Sequence, residues 1–270
     1  MAASPETVSV GIHGAAGRMG RRLVALAAED PALRLVAALE HGGHELLGKD
    51  AGTIAGIEPT GVALSETWAG DARPQVVIDF SVPEAMRSVL AMCRAQGVAL
   101  VIGTTGFSAA DEKAIDDAAA DIAVLQAPNM SLGVNLLFAL AGQVAAKLGD
   151  DYDIEIVEAH HRFKRDAPSG TALGLARAIC DATGKDLQKD VTHGREGEQP
   201  RRTGEIGMHA LRLGDVVGRH AVSFATLGEE IQLAHNASTR DVFVRGALRA
   251  ARWLADKAAG RYDMKDVLGL

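Results

Sequence analysis

Two observations predict an α/β protein with a parallel-sheet domain followed by a smaller α+β domain carrying an open mixed sheet. Over the first half, continuous short apolar runs alternate with amphipathic helical stretches, the pattern of parallel strands covered on both faces. Over the second half, strands follow one another without intervening helices. The first rhythm places strands at Val8–Ile12, Leu33–Leu39, Val76–Phe80, Val98–Ile102 and Ile122–Gln126. Helices fall between them at Gly17–Glu29, Pro83–Gln96 and Ser108–Ala120. A helix near Leu132–Lys147 marks the change, followed by a strand at Tyr152–Ala159, a polar loop and a helix from Gly170 to about Thr183. Lys185–Thr203 is charged and turn-rich and is expected to be an exposed loop. Strands at Ile206–Leu213, Ala221–Thr226 and Glu230–His235 precede a last helix from about Arg240 to Lys257.

Composition narrows the function class. The chain has 270 residues, 47% of them hydrophobic, enough for one large or two modest cores. No apolar run approaches the roughly 20 residues that cross a bilayer, and Met1–Val10 lacks both the basic start and the apolar run of a signal peptide. Cys93 and Cys180 each sit in a helical apolar pattern and are expected as buried free thiols. A cytoplasmic protein is expected, with no membrane partner. The net charge of −7 argues against a nucleic-acid partner but leaves room for a local basic pocket.

The sharpest local signal is Gly14-Ala15-Ala16-Gly17-Arg18-Met19-Gly20, set between a predicted strand and a predicted helix. A dinucleotide pyrophosphate needs backbone approach without a Cβ and the free N–H groups of a helix start. Gly14 and Gly17 suit the turn and the approach, and Gly20 suits close helix–strand packing. Glu40 ends the second strand about 20 residues further on, where an acid grips a ribose diol. These features point to an N-terminal Rossmann domain that binds a nicotinamide dinucleotide. Glu40 favours NADH by repelling a 2′-phosphate, whereas Arg18 and a protonated His41 would offset that repulsion, so both NADH and NADPH are permitted. Later strand ends belong to the same crevice: Gly103-Thr104-Thr105 is placed to meet the nicotinamide side, or is a plain turn. Ala127-Pro128-Asn129-Met130 closes that side and leads out of the domain.

The densest reactive cluster is Glu158–Thr171, EAHHRFKRDAPSGT. It leaves a strand, crosses a basic loop and enters a helix at Ser169-Gly170-Thr171, where N–H groups and hydroxyls face a carboxylate. His160 handles a proton near neutral pH, and Lys164 donates one while attracting an anion. The local excess of positive charge in an acidic protein suggests a small anionic substrate. Ser169 also suits a simple helix cap. His160 and His161 lack a carboxylate or cysteine at ligand spacing, so no metal is expected.

This run closely resembles the signature of the 4-hydroxy-tetrahydrodipicolinate reductase (dihydrodipicolinate reductase) family of bacterial lysine and diaminopimelate biosynthesis. The resemblance extends to GAAGRMG at Gly14–Gly20, VIDFS at Val77–Ser81, VIGTTGF at Val101–Phe107 and YDMKDVLGL at Tyr262–Leu270, in order along the chain. It implies reduction of a cyclic dicarboxylate by NADH or NADPH, with His160 and Lys164 as the proton-handling pair. His161, Ser169, Gly170 and Thr171 would hold substrate carboxylates. Gly14 to Met19, Glu40, His41, Gly103 to Thr105 and Ala127 to Met130 would hold the cofactor. Relatives that use NADPH often carry arginine where His41 stands, which implies a weaker, pH-sensitive contact with a 2′-phosphate. The resemblance further implies homotetramers built through the second domain's sheet, and a C-terminal segment that returns to the first domain. Residues 1–130 with 241–270 would then form the dinucleotide-binding domain, and 131–240 the substrate-binding and oligomerisation domain.

Overall fold

Strands such as Val76–Asp79 are buried at every position, which only a sheet covered on both faces allows. The computed structural model describes residues 7–68 and 72–270. Residues 1–6, part of the stretch that lacks a signal-peptide pattern, lie outside the described residues. The chain runs β1 (Val8–His13), α1 (Arg18–Glu29), β2 (Leu33–Leu39), α2 (Ala51–Ala55), β3 (Leu64–Ser65), β4 (Val76–Asp79), α3 (Pro83–Gln96), β5 (Ala99–Ile102), α4 (Ala109–Ala119) and β6 (Ala123–Gln126). It continues with α5 (Leu132–Leu148), β7 (Asp153–His160), α6 (Gly170–Thr183), β8 (Val191–His193), β9 (Ile206–Arg212), β10 (Gly218–Thr226) and β11 (Glu229–Ala237). It ends with α7 (Asp241–Leu254), β12 (Gly260–Tyr262) and α8 (Met264–Leu268). Two compact units result: Met1–Ser131 with Asp241–Gly269, and Leu132–Arg240 with Leu270.

The first unit holds a seven-stranded sheet in the order β3-β2-β1-β4-β5-β6-β12, every neighbouring pair parallel. This is the Rossmann order with one added edge strand, and its strand order reverses between β1 and β4, where such folds bind ligands. Helix α3 starts with proline at its first turn and stops at Gly97, whose φ of 63° only glycine adopts cheaply. Ser108 and Asp111 cap α4 reciprocally. Val77, Leu100, Ile102 and Val124 of the sheet pack with Met86, Leu90 and Cys93 of α3 and Ile115 of α4. The C-terminal segment adds β12 to the edge of β6 and packs α8 on α7.

The second unit is a five-stranded mixed sheet, β11-β10-β7-β9-β8: the β11–β10 and β10–β7 pairs are antiparallel, β7–β9 and β9–β8 parallel. Helices α5 and α6 cover one face, burying Leu137, Ala141, Leu175, Ala176 and Ile179 against Ile154, Ile156, Met208, Val222 and Phe224. Cys93 and Cys180 are buried, unpaired thiols.

The structure departs from the sequence expectation in three respects. Lys185–Thr203 is not only loop: Val191–His193 forms edge strand β8, and Arg195 and Arg201 pair with Glu155 of the sheet. The short elements α2, β3, β12 and α8 were not predicted, because two to five residues carry no readable period. Third, Leu132–Asp151 is a 20-residue helical segment of mean hydropathy 1.4, long and apolar enough to cross a membrane by length and composition, contrary to expectation. In this fold it lays Leu137, Ala141 and Ala145 into the second unit's core.

Helix α7 is bound tightly to the first unit through Gly246, where a Cβ would lie 1.7 Å from the Met130 carbonyl oxygen. Gly246→Ala should therefore destabilise by about 2 kcal/mol through overpacking, although alanine is favoured over glycine in helices by about 1 kcal/mol. Urea unfolding of the two proteins reads this directly, and a gain in midpoint would refute it.

Candidate active site

In the first unit the glycine loop is shaped by close contacts. Gly14 has φ 75°, and a Cβ there would lie 2.7 Å from the Phe80 oxygen. At Gly20 a Cβ would lie 2.0 Å from the Gly14 oxygen, so α1 approaches the turn only because that residue is glycine. Gly17, the N-cap of α1, offers no side chain to the first-turn amides. A helix start without a cap, approached through backbone, fits a dinucleotide pyrophosphate. Gly14 and Ala15 donate their N–H groups to the Leu39 carbonyl, and so are engaged within the protein. Arg21 Nε donates to the Ala16 carbonyl at 2.7 Å and the Glu40 carboxylate accepts from Ala16 N at 3.3 Å, fixing the loop from both sides. His41 is exposed and its Nδ1 lies 2.9 Å from the Gly42 oxygen.

Beneath this loop the strand ends that carry Asp79, Ser81 and Thr104 form a polar cluster with His13. Asp79, fully buried at the end of β4, receives His13 Nδ1 at 2.6 Å, the Ser81 hydroxyl at 2.6 Å and the Thr104 hydroxyl at 2.7 Å. Thr104 Oγ1 in turn accepts from Ser81 N. The Thr104 hydroxyl is thus engaged inside the protein, while Thr105 is exposed. Gly103 lets the Phe80 ring lie against the backbone, 2.4 Å from where a Cβ would stand. Ala127 and Met130 are buried, and Pro128 is exposed. Asn129 Oδ1 accepts from Ser131 N.

The second unit's site grows from the end of β7. Even-numbered residues of β7, β9 and β10 face the helices: Ile154 and Ile156 begin the core, then Glu158 and His160 replace them in the same phase. Arg212 stands opposite His160 in register, and His220 opposite Glu158. Glu158 is fully buried and accepts His160 Nδ1 at 2.6 Å, Ser169 N at 3.0 Å, and Arg212 Nη1 and Nη2 at 3.0 Å each. Burial pushes this carboxyl up, but the Arg212, His160 and Ser169 bonds outweigh it and hold it below its usual range. An ionised carboxylate only accepts, so His160 donates from Nδ1 and carries its lone pair on Nε2. Burial lowers the His160 pKa, Glu158 partly opposes this, and the Lys164 and Arg212 charges lower it further.

Ser169 caps α6 by accepting Ala172 N, and its Oγ lies 3.1 Å from His220 Nε2. The His220 ring meets His160 edge-on at 5.1 Å between centroids. Lys164 Nζ pairs with Asp166 at 2.8 Å. His161 is half-buried, with an unpartnered Nδ1. A Cβ at Gly170 would meet nothing, so packing does not require that glycine. Glu158, His160, Ser169 and His220 are therefore gathered into one cluster, with Lys164 on the loop above. Arg212 and His220 were missed, although each is a polar residue in the buried phase of an alternating strand.

Burial holds the His220 pKa down to about 4. Between that value and the unfolded 6.5, the unfolded chain binds a proton that the folded one refuses, so stability rises with pH there. Acidifying from pH 7 to 4 should then remove up to about 3 kcal/mol through this group alone. Denaturant midpoints across that range should fall steeply in the wild type and less steeply in His220→Phe; equal slopes would exclude His220 as the cause.

The sequence matches a known family along nearly its whole length. The family described as "Dihydrodipicolinate reductase, N-terminus" matches residues 8–130, and "Dihydrodipicolinate reductase, C-terminus" matches residues 133–268. The chain is 50% identical to the 4-hydroxy-tetrahydrodipicolinate reductase of Alkalilimnicola ehrlichii, over 98% of this chain and 100% of that one. It is 51% identical to the enzyme of that name from Magnetococcus marinus, over 97% and 99%. A dipicolinate-bound dihydrodipicolinate reductase from Paenisporosarcina sp. TG-14 shares the fold, with a TM-score of 0.73 at 23% identity over 95% of this chain and 97% of that one. From the order of its strands, its glycine loop and these relatives, the chain belongs to the 4-hydroxy-tetrahydrodipicolinate reductase family of oxidoreductases.

Proposed function

We propose that this chain reduces 4-hydroxy-tetrahydrodipicolinate to tetrahydrodipicolinate with NADH or NADPH, in lysine and diaminopimelate biosynthesis in the cytoplasm. The observation that carries the reading is the Glu158–His160–Ser169 cluster at the N-terminus of α6, with Lys164 on the adjoining loop. The cofactor would be held by Gly14, Ala15, Ala16, Gly17, Arg18 and Met19, by Glu40 and His41 at the ribose, and by Gly103 to Thr105 and Ala127 to Met130. When bound, it supplies a hydride to C4 of the conjugated imine that remains after the substrate loses water.

The residues of the second unit would do the rest. A carboxylate of the substrate sits against the first turn of α6, where Ser169, Gly170 and Thr171 offer donors and the helix dipole favours negative charge. The open space at Gly170 leaves room for that approach. His161 contributes to the same carboxylate subsite. Lys164 exchanges its partner Asp166 for the substrate and delivers the proton that the ring carbon takes up, with His160 assisting. His160 is suited to this because Glu158 fixes which nitrogen is free.

Self-association fits the outer face of the second sheet, where Val157 of β7 and Leu211 of β9 are exposed in the same strand phase, offset by two residues in register. A homotetramer is the proposed assembly.

Two experiments test these proposals. Absorbance of NADH and of NADPH should fall only when substrate freshly made from pyruvate and aspartate semialdehyde is present. Lys164→Ala should lower kcat by about 100-fold or more, and unchanged turnover would remove Lys164 from the mechanism. The ratio of the two cofactor rates fixes the preference, and a change in that ratio in His41→Ala would assign it to His41. For assembly, light scattering of the purified protein should give the mass of four chains, and Val157→Glu with Leu211→Glu should reduce it; an unaltered mass would move the interface elsewhere.

A further inference from the structure

Arg212 spends all of its donors inside the protein. Its Nη1 donates to Glu158 Oε2 at 3.0 Å and to the Leu211 carbonyl at 2.6 Å. Its Nη2 donates to Glu158 Oε1 at 3.0 Å and to the Asp166 carbonyl, and its Nε to the Lys164 carbonyl at 3.3 Å. A guanidinium has five N–H groups, so none is left for a ligand. Two of the five reach the carboxylate that sets the His160 tautomer, and two more reach the main chain on either side of Arg165, at the residues that carry Lys164 and its partner Asp166.

We propose that Arg212 is a positioning residue for the reduction: it locks Glu158, and through it His160, into one rigid unit with the loop that presents Lys164. The proposal rests on the reading of His160 and Lys164 given above. Physical chemistry favours arginine at this place. The Glu158 carboxylate has about four lone-pair sites, and His160, Ser169 and the two Arg212 bonds fill them, with the paired guanidinium bonds fixing its plane. The carboxylate plane in turn fixes the imidazole. Lysine would keep the charge but could make at most three hydrogen bonds from a single point, so it would satisfy Glu158 or hold the loop, not both. The reach from β9 to the loop is also geometric, because Arg212 ends its strand opposite His160, and the parallel pairing continues past it as Leu213 N donates to the His160 carbonyl.

The groups that face His160 are Glu158 on its own strand, Arg212 on β9, His220 on β10 and Lys164 on the loop. Removing Arg212 takes away one cation and leaves the Glu158 charge to bear on His160 alone, which raises the affinity of His160 for its proton. A purely structural arginine would lower the folded fraction and leave kcat of the folded molecules unchanged.

The test compares wild type, Arg212→Lys, Arg212→Gln and Arg212→Ala as full-length proteins, each checked by thermal melting for a folded fraction. The imidazole of His160, followed by NMR, should titrate about one pH unit higher in Arg212→Gln. In Arg212→Lys, kcat should fall about 10-fold or more with KM nearly unchanged, because Lys164 and His160 are both present but not held. Added guanidinium should restore part of the turnover of Arg212→Ala. Folded Arg212→Lys and Arg212→Gln with wild-type kcat and an unmoved His160 titration would overturn the proposal. If instead Lys164→Ala and His160→Gln turn over like wild type while the His160 titration still moves in Arg212→Gln, the assignment of those two residues fails and the coupling of Arg212 to His160 survives. Should none of the three Arg212 variants fold, guanidinium titrated into Arg212→Ala during refolding separates a folding role from a positioning one: recovery of folded protein without recovery of turnover would overturn the proposal.

Discussion

A carboxylate with no access to water must be surrounded by donors, and the second unit is built around meeting that demand at Glu158. Its surroundings come from three separated stretches: His160 from the same strand, the Ser169 amide from the start of α6, and the Arg212 guanidinium from β9. None of these groups can move far without leaving a buried charge uncompensated, a loss of several kcal/mol. The helix start, the imidazole and the loop are therefore fixed relative to one another by a single electrostatic constraint. The apolar part of the same sheet face, Ile154, Ile156, Met208, Val222 and Phe224, supplies the rigid floor next to it. Core and site are two halves of one surface, divided where β7 changes from isoleucine to glutamate.

The first unit repeats the device with weaker partners. Asp79 also ends a strand, is also fully buried, and also takes an imidazole Nδ1 at 2.6 Å, from His13. Its remaining partners are two hydroxyls in place of a guanidinium. The effect is to tie the ends of β1, β4 and β5 together at the place where the strand order reverses. Gly14 and Gly20 keep the helix close, and Glu40 with Arg21 hold the loop from the sides.

Much of this could be read from residue order. Long runs such as Pro83–Gln96 and Leu33–Leu39 declare their period, and the glycine loop and the Glu158–Thr171 run declare their chemistry. The short edge strands β8 and β12 could not be read, because three residues show no alternation and their pairing is decided by neighbours far away in sequence. Arg212 and His220 were legible in principle. Each falls in phase with buried apolar residues, Arg212 with Ile206 and Met208, His220 with Val222 and Phe224. A polar side chain in the apolar phase of a strand announces a buried partner, but which partner depends on register, and register is a property of the fold.

The excess of positive charge along Glu158–Thr171 is also distributed differently from its appearance in sequence. The guanidinium that fully neutralises Glu158 is Arg212, which lies outside that run. Arg162 and Arg165 lie exposed, and Lys164 is paired with an Asp166 side chain that is 60% exposed. A pair of that kind is worth about 0–1 kcal/mol, so Lys164 and Asp166 separate at little cost. The Glu158–Arg212 pair, buried and bidentate, is not exchanged so easily. The cluster therefore combines one ion pair that holds its shape with another that exchanges easily, and the difference between them follows from burial.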